Sequence, residues 1–315
     1  MQETSVGIDV AKDKLDIYLL PEKLFFSVKN DKKGHKKLAT ILKKSKVHLI
    51  VLEATGGYEL AVAYALLDQN LPVSIINPKR IRKFAGAKNI NCKTDKIDAK
   101  LIAEFTQTIN PEHRELLSKE GRALKELISR RTQLVDQITS EKNRCEVITN
   151  QFVIKDTKAH LKQLEARVER VEIEIQKAIS ANKQWKSLFE FLISLKGIGP
   201  VTASTLIADL PELGYLNRKE IAALLGTAPF NSDSGNKTGK RFTRGGRTSL
   251  RDCFYMATLN ACFHNPQIKE FYQRLVEKGK EKKVAITACM RKFIVIINAK
   301  VKEFLFFQDF FTLIA

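Results

Sequence analysis

Two apolar runs near the start of the chain each carry an acid at a place where a side chain has little access to water. Asp9 lies inside VGIDVAK and Glu53 inside LIVLEATGGY. Apolar runs of this kind read as strands buried on both faces. An uncompensated carboxylate in such a strand is costly, so the fold must bring a cation to it. A third segment, KTDKIDAK, adds Asp95 and Asp98 at the start of a helical pattern. Three residues apart, they share one helix face, with Cβ atoms about 5 to 6 Å apart. Asp9, Glu53, Asp95 and Asp98 together make an oxygen-only donor set suited to Mg2+ or Mn2+.

Strand and helix signals alternate through residues 1–112. Residues 5–10 and 14–20 read as a hairpin through 11–13, and 24–29 as a third strand. A basic helix over 32–44, a strand ending at Glu53, a helix over 58–69 and a strand at 73–76 closed by Asn77-Pro78 come next. Thr94 is the expected N-cap of a helix running through Asp95, Asp98 and Ile102 toward Thr108. The pattern predicts a mixed α/β sheet covered by helices. Residues 113–187 change to heptad spacing. Leu124, Leu127, Leu134, Ile138, Cys145 and Ile148 are followed by a break at 152–157, then by Leu161, Leu164, Val168, Val171, Ile175, Ala178 and Trp185. This predicts an antiparallel coiled-coil hairpin, and the pattern fits a spacer and a dimerisation element equally.

Residues 188–315 read as an all-α domain rich in basic side chains. It opens with LKGIGPVTA, where Gly197 and Gly199 permit a tight turn beside Lys196 and Pro200 suits the first turn of the next helix. Such a helix-hairpin-helix turn aims backbone N–H groups at a DNA phosphate, and an ordinary helix-to-helix turn is the plainer reading. Residues 226–251 are glycine-rich and basic. Lys237, Lys240, Arg241, Arg244, Arg247 and Arg251 could surround a phosphate there, and Ser232 or Ser234 could attack it; a flexible basic loop has the same composition. Cys253, Cys262 and His264 lie in an apolar helical stretch and read as packing residues. Tyr58 reads as a nucleic-acid contact or a helix-start packing residue, and residues 293–307 as a core or protomer-contact helix.

Charge narrows the partner. Fifty-four Lys and Arg against 35 Asp and Glu give a net charge of +19, which favours a polyanion, above all nucleic acid. No apolar stretch approaches the roughly 20 residues that span a bilayer, and the N-terminal residues lack a secretory pattern. Five cysteines without a Cys-x-x-Cys pair argue against a disulfide framework or zinc ribbon. A reduced, cytosolic location is expected.

Taken in order, V-G-I-D-V-x-K, L-E-A-T-G-x-Y, the following N-P, K-T-D-x-x-D-A, L-x-G-I-G-P and the S-G-x-K segment resemble the DEDD transposases of the insertion-sequence-110 family. The resemblance extends through Asn265-Pro266, Tyr272, Gly279-Lys280, residues 288–292 and Asn298-Ala299, and covers nearly the whole chain. It implies a RuvC-like, ribonuclease-H-like first domain, a coiled coil and a C-terminal transposase domain. It further implies that Asp9, Glu53, Asp95 and Asp98 are a metal-binding catalytic tetrad and that Ser234 is the nucleophile, with Ser232 the neighbouring candidate. Double-stranded DNA, as element ends and target, a noncoding bridge RNA as guide, and a homodimer or homotetramer with composite sites are its implied partners. A junction-resolving endonuclease of the same fold would use the carboxylates without the serine, a nonenzymatic nucleic-acid-binding protein would need neither, and a site-specific DNA invertase lies near the family.

Overall fold

The computed structural model describes residues 3–90, 94–111, 117–230, 239 and 241–314, with side chains as far as residue 307. Ser232, Ser234, Lys237, Lys240 and the boundary expected at 112/113 lie outside the described residues. The chain divides into two compact units, Met1–Leu116 and Leu117–Ala315.

The first unit runs β1 (Thr4–Val10), β2 (Lys14–Leu20), β3 (Leu24–Lys29), α1 (Lys32–Leu42), β4 (Val47–Glu53), α2 (Tyr58–Leu67), β5 (Val73–Ile76), α3 (Pro78–Ala87) and α4 (Asp95–Ile109). Its sheet has the order β3-β2-β1-β4-β5. The β1–β2 and β2–β3 pairs are antiparallel, whereas β4 runs parallel to β1 and β5 parallel to β4. Strand alternation sends Val6, Ile8, Ile50 and Leu52 to one face, where they pack with Leu38 and Leu42 of α1 and Val62 and Leu66 of α2. The other face meets α3 and α4: Leu49 and Val51 pack with Ile81, Ile102 and Phe105, and Tyr18 and Leu20 with Ala99 and Ala103. Burial on both faces explains why β1 and β4 read as continuous apolar runs.

Helix α3 was not expected. Asn77-Pro78 reads as the end of a strand, yet it also starts a helix: the Asn77 side chain accepts from the Lys79 amide at 2.9 Å, and Pro78 occupies the first turn.

The second unit runs α5 (Lys119–Val147), α6 (Gln151–Ala181), α7 (Lys183–Ser194), α8 (Pro200–Asp209), α9 (Arg218–Leu224), β6 (Pro229–Phe230), β7 (Phe242–Thr243), α10 (Thr248–His264), α11 (Pro266–Glu277) and α12 (Lys282–Ile314). Helices α5 and α6 are antiparallel partners, as the Arg131–Glu172 and Lys142–Glu165 bridges at 2.7 and 3.3 Å require. Their connection lies at 148–150 rather than at 152–157, because Asn150 caps α6 by accepting from the amides of Phe152 and Val153. The base of this hairpin is continuous with the C-terminal helices. Leu124, Ile128, Ile175 and Ile179 share one core with Leu206, Phe254, Phe293 and Ile297.

Candidate active site

A missing side chain shapes the acid-bearing face of the sheet. Ser5, Gly7 and Asp9 alternate with the buried Val6 and Ile8, so they face α4. A Cβ on Gly7 would stand 2.8 Å from Ala103 Cα and closer still to Ala103 N and Ala99 O. Helix α4 therefore lies against the strand at backbone distance, with Ala99 and Ala103 as its small contact residues. Thr94 starts the helix by accepting from the Ile97 amide at 3.3 Å, which puts Asp95 and Asp98 in the first turn, where the helix dipole favours carboxylates. The parallel β1–β4 register sets Ile8 beside Leu52, so Asp9 and Glu53, one residue on, end adjacent strands about 4.8 Å apart on the same face. Glu53 and Asp98 are half-buried and Asp95 is exposed. Burial pushes the Asp9 carboxyl above the usual carboxylate range, and the charges of Asp98, Asp16 and Asp95 push it further. The four predicted acids thus come from the C-terminal ends of two interior strands, β1 and β4, and from the start of α4.

Asp16 belongs to the same cluster, although from the sequence a hairpin position near the turn reads as a surface residue, as does Asp13. Asp13 is exposed. Asp16 is only 3% exposed, because the short β1–β2 turn pairs it directly with Asp9. It accepts from Ser27 Oγ at 2.5 Å, and the Lys14 ammonium bridges Asp16 at 3.0 Å and Asp95 at 2.9 Å. These two hydrogen bonds, Asp95 first, raise the Lys14 pKa. The turn was the available signal: residues 11–14 close it, with the Ala11 amide donating to the Lys14 carbonyl at 2.9 Å, so that Val10 pairs with Leu15 and Asp9 with Asp16.

The donor set fits a hard divalent cation, being all carboxylate and crowded enough to hold Asp9 toward its protonated form. Among the described residues no three His, Cys, Asp or Glu side chains close round one point as ligands do. Lys14 instead supplies the local positive charge.

In the second unit, α7 and α8 are joined by a tight turn. Gly197 has φ +101°, and a Cβ there would stand 2.8 Å from Ala261 Cβ. Gly199 opens α8 without a side-chain cap, and a Cβ there would meet nothing within 4 Å. Lys196 is exposed, and its carbonyl accepts from Asn265 Nδ2 at 2.9 Å, fixing the turn to the α10–α11 junction. Arg241 and Arg244 are exposed near β7. Arg247 turns onto Glu212 with two hydrogen bonds of 2.8 and 2.6 Å and onto the Asp209 carbonyl at 2.5 Å, so it anchors the start of α10. Cys262 is buried and Cys253 is half-buried, its Sγ 3.6 Å from Thr205 Oγ1, consistent with packing. Asn298 is structural, holding the Gly214 amide and the Leu216 carbonyl, each at 2.8 Å.

Residues 6–154, which contain all four acids, match the DEDD transposase family of IS110 type, described as "Transposase". Residues 189–273 match the family described as "Transposase IS116/IS110/IS902 family". The chain belongs to the IS110-type transposases. It is accordingly a DNA recombinase enzyme; the first family match covers most of the first unit and runs on through residues 117–154 of the second, and the second match lies wholly in the second unit. Two relatives are each 27% identical over 314 residues, covering 96% of this chain and 97% of theirs: the pilin gene-inverting proteins of Moraxella bovis and Moraxella lacunata. Among the described residues of this transposase, no helix is long and apolar enough to cross a membrane.

Proposed function

We propose that the chain cuts and rejoins double-stranded DNA by serine chemistry at a phosphate positioned by the acidic cluster. The observation that carries this is the convergence of Asp9, Asp95 and Asp98, with Asp16 behind them, on the Gly7 face of the sheet. The strand order and the parallel switch at β1–β4 support a ribonuclease-H-like, RuvC-type reading of the first unit. The α5–α6 pair supports a coiled-coil hairpin, and the Gly197–Gly199 turn a helix-hairpin-helix.

Asp9, Glu53, Asp95 and Asp98 would hold Mg2+ or Mn2+, which neutralises charge on the scissile phosphate and on the leaving oxygen. Lys14 and Ser27 hold the rear carboxylate, Asp16, in place. The serine, Ser234 with Ser232 as the alternative, forms a bond from its Oγ to phosphorus as the phosphorus–sugar oxygen bond breaks. The hydroxyl proton passes to the departing sugar oxygen. One phosphodiester is exchanged for another, so the bond energy is kept until a second sugar hydroxyl attacks the phosphoserine, returns the proton to Oγ and rejoins the strand. Lys196, the α8 N-terminus, Arg241 and Arg244 would hold phosphates, with Lys237 and Lys240 beside the serines in sequence. A noncoding guide RNA selects the sites, and two or four copies act together, as the family resemblance implies.

Denaturing quench of a reaction with guide RNA, DNA and Mg2+ should give a protein–DNA adduct that peptide mapping assigns to Ser234. An adduct at Ser232 would move the nucleophile by two residues. Cleaved ends without adduct, undiminished in Ser234→Ala, would overturn the serine step in favour of hydrolysis. The relatives' name favours site-specific inversion as a second reading of the same chemistry. Inversion of a segment between two sites on one plasmid, without transfer to a second plasmid, would establish it.

A further inference from the structure

Strands β6 and β7 present two phenylalanines outward. Phe230 and Phe242 are ladder partners, so their rings leave the ribbon side by side on one face. They are 37% and 45% exposed and take no part in the core of this unit. The Arg244 guanidinium stands over both, 4.7 Å from the Phe230 ring centroid and 5.6 Å from that of Phe242. The assembly is firmly seated. Gly246, at φ +77°, lies so close to the Gly226 backbone that a Cβ would stand 2.5 Å from Gly226 Cα, and Arg247 is clamped on Glu212. Ser232 and Ser234 follow Phe230 by two and four residues, a chain reach of at most about 14 Å.

Adjacent, partly exposed rings capped by a guanidinium supply what an unpaired nucleotide requires: π surface, of the rings or of the guanidinium plane, to stack its base on and a cation for its phosphate. We infer that Phe230, Phe242 and Arg244 form a stacking platform for an unpaired DNA base flanking the phosphate that the serine segment attacks. The surrounding charge points the same way, since the exposed Arg241 directly precedes Phe242 in a chain of net charge +19. The inference rests on the serine reading above for its placement beside the reacting phosphate. The competing account is that the rings only brace a two-residue ribbon.

Leucine separates the two accounts, because it keeps an apolar cross-strand contact but has no π face. With a single-stranded DNA carrying 2-aminopurine, the full-length protein should quench the base's fluorescence on binding. The Phe230→Leu/Phe242→Leu double variant, with its melting temperature unchanged, should lose that quenching and bind the single strand about 5- to 150-fold more weakly, while duplex affinity stays within about twofold. Arg244→Ala should lose part of both signals. Undiminished quenching by the double variant would overturn the platform, as would an equal loss on single-stranded and duplex DNA or a larger loss on the matching RNA oligonucleotide. If the double variant unfolds, the single variants are compared in the same way. The two readings fail separately. Absence of a serine adduct alongside loss of quenching removes only the serine step; an adduct at Ser234 alongside intact quenching removes only the platform.

Discussion

Gly7→Ala tests how the acidic cluster is assembled. Gly7 does not have a positive φ, so any cost comes from space rather than backbone strain. The added methyl would stand 2.8 Å from Ala103 Cα, whereas carbon atoms rest about 3.5 to 4.0 Å apart. The nearer obstacles, Ala103 N and Ala99 O, are backbone atoms of α4, so no rotamer change relieves the clash. The helix must withdraw by about 1 Å, and a gap of that size forfeits a quarter to a half of the dispersion attraction across the contact. Ala99, Leu101, Ile102, Ala103 and Phe105 all bury themselves on this helix, so the expected cost is about 1 to 3 kcal/mol. For a unit of this size that lowers the melting temperature by roughly 5 to 20 °C. Asp95 and Asp98 withdraw with the helix, so the stabilisation that Mn2+ confers should shrink as well. Calorimetry of the purified chain with and without Mn2+ measures both effects. Ala103→Gly should not rescue the variant, because the obstruction is main chain. A Gly7→Ala protein melting within about 2 °C of the parent, with its Mn2+ response intact, would refute this account of the helix–strand contact.

Asp9→Asn should raise the metal-free melting temperature at neutral pH. The folded-state pKa of Asp9 lies above its ordinary 3.8, so its contribution is fully present below that value and is lost as pH rises through the raised one. The gain in the variant should therefore vanish below about pH 4, and a variant less stable than the parent at pH 7 in EDTA would count against like-charge crowding. The same substitution should abolish recombination. Lys14→Met should tighten Mn2+ binding in a calorimetric titration, since the ammonium that bridges Asp95 and Asp16 no longer competes for them; weaker binding would show that Lys14 organises the ligands instead. Gly199→Val should leave the melting temperature unchanged, because open space surrounds its Cβ, yet weaken duplex binding several-fold as measured by fluorescence anisotropy. Binding by the parent should itself fall steeply with salt, and a flat salt response would remove the phosphate reading.

The legible parts of this protein were those in which local pattern and tertiary role coincide. Asp9 and Glu53 stood out because each interrupts a run buried on both faces, and Asp95 and Asp98 because a Thr94 cap sets their phase on α4. The unread parts depend on pairing between segments. Asp16 looks like a hairpin surface residue until its register opposite Asp9 is counted, and then its burial follows from α4 covering that face. Asn77-Pro78 is ambiguous because the same dipeptide ends β5 and caps α3, and α3 buries too little for its periodicity to announce it, with Ile81 its one fully buried side chain among the described residues. Phe230 and Phe242 are separated in sequence by the segment 231–241, and no local periodicity marks them as partners; only the ladder does.

Gly7 sits between these cases. The glycine is visible in V-G-I-D-V, but its purpose is not, because the atoms that exclude a side chain there belong to a helix nearly a hundred residues further along the chain. A strand glycine two residues before an acid has two readings, a bulge or the close approach of another backbone. The structure selects the second, and the selection has a chemical consequence. The closeness that removes the Cβ also brings the first turn of α4, and with it Asp95 and Asp98, into the electrostatic range of Asp9. One contact thus sets both the packing of α4 on the sheet and the spacing of these carboxylates, which is why a single methyl group is expected to disturb both.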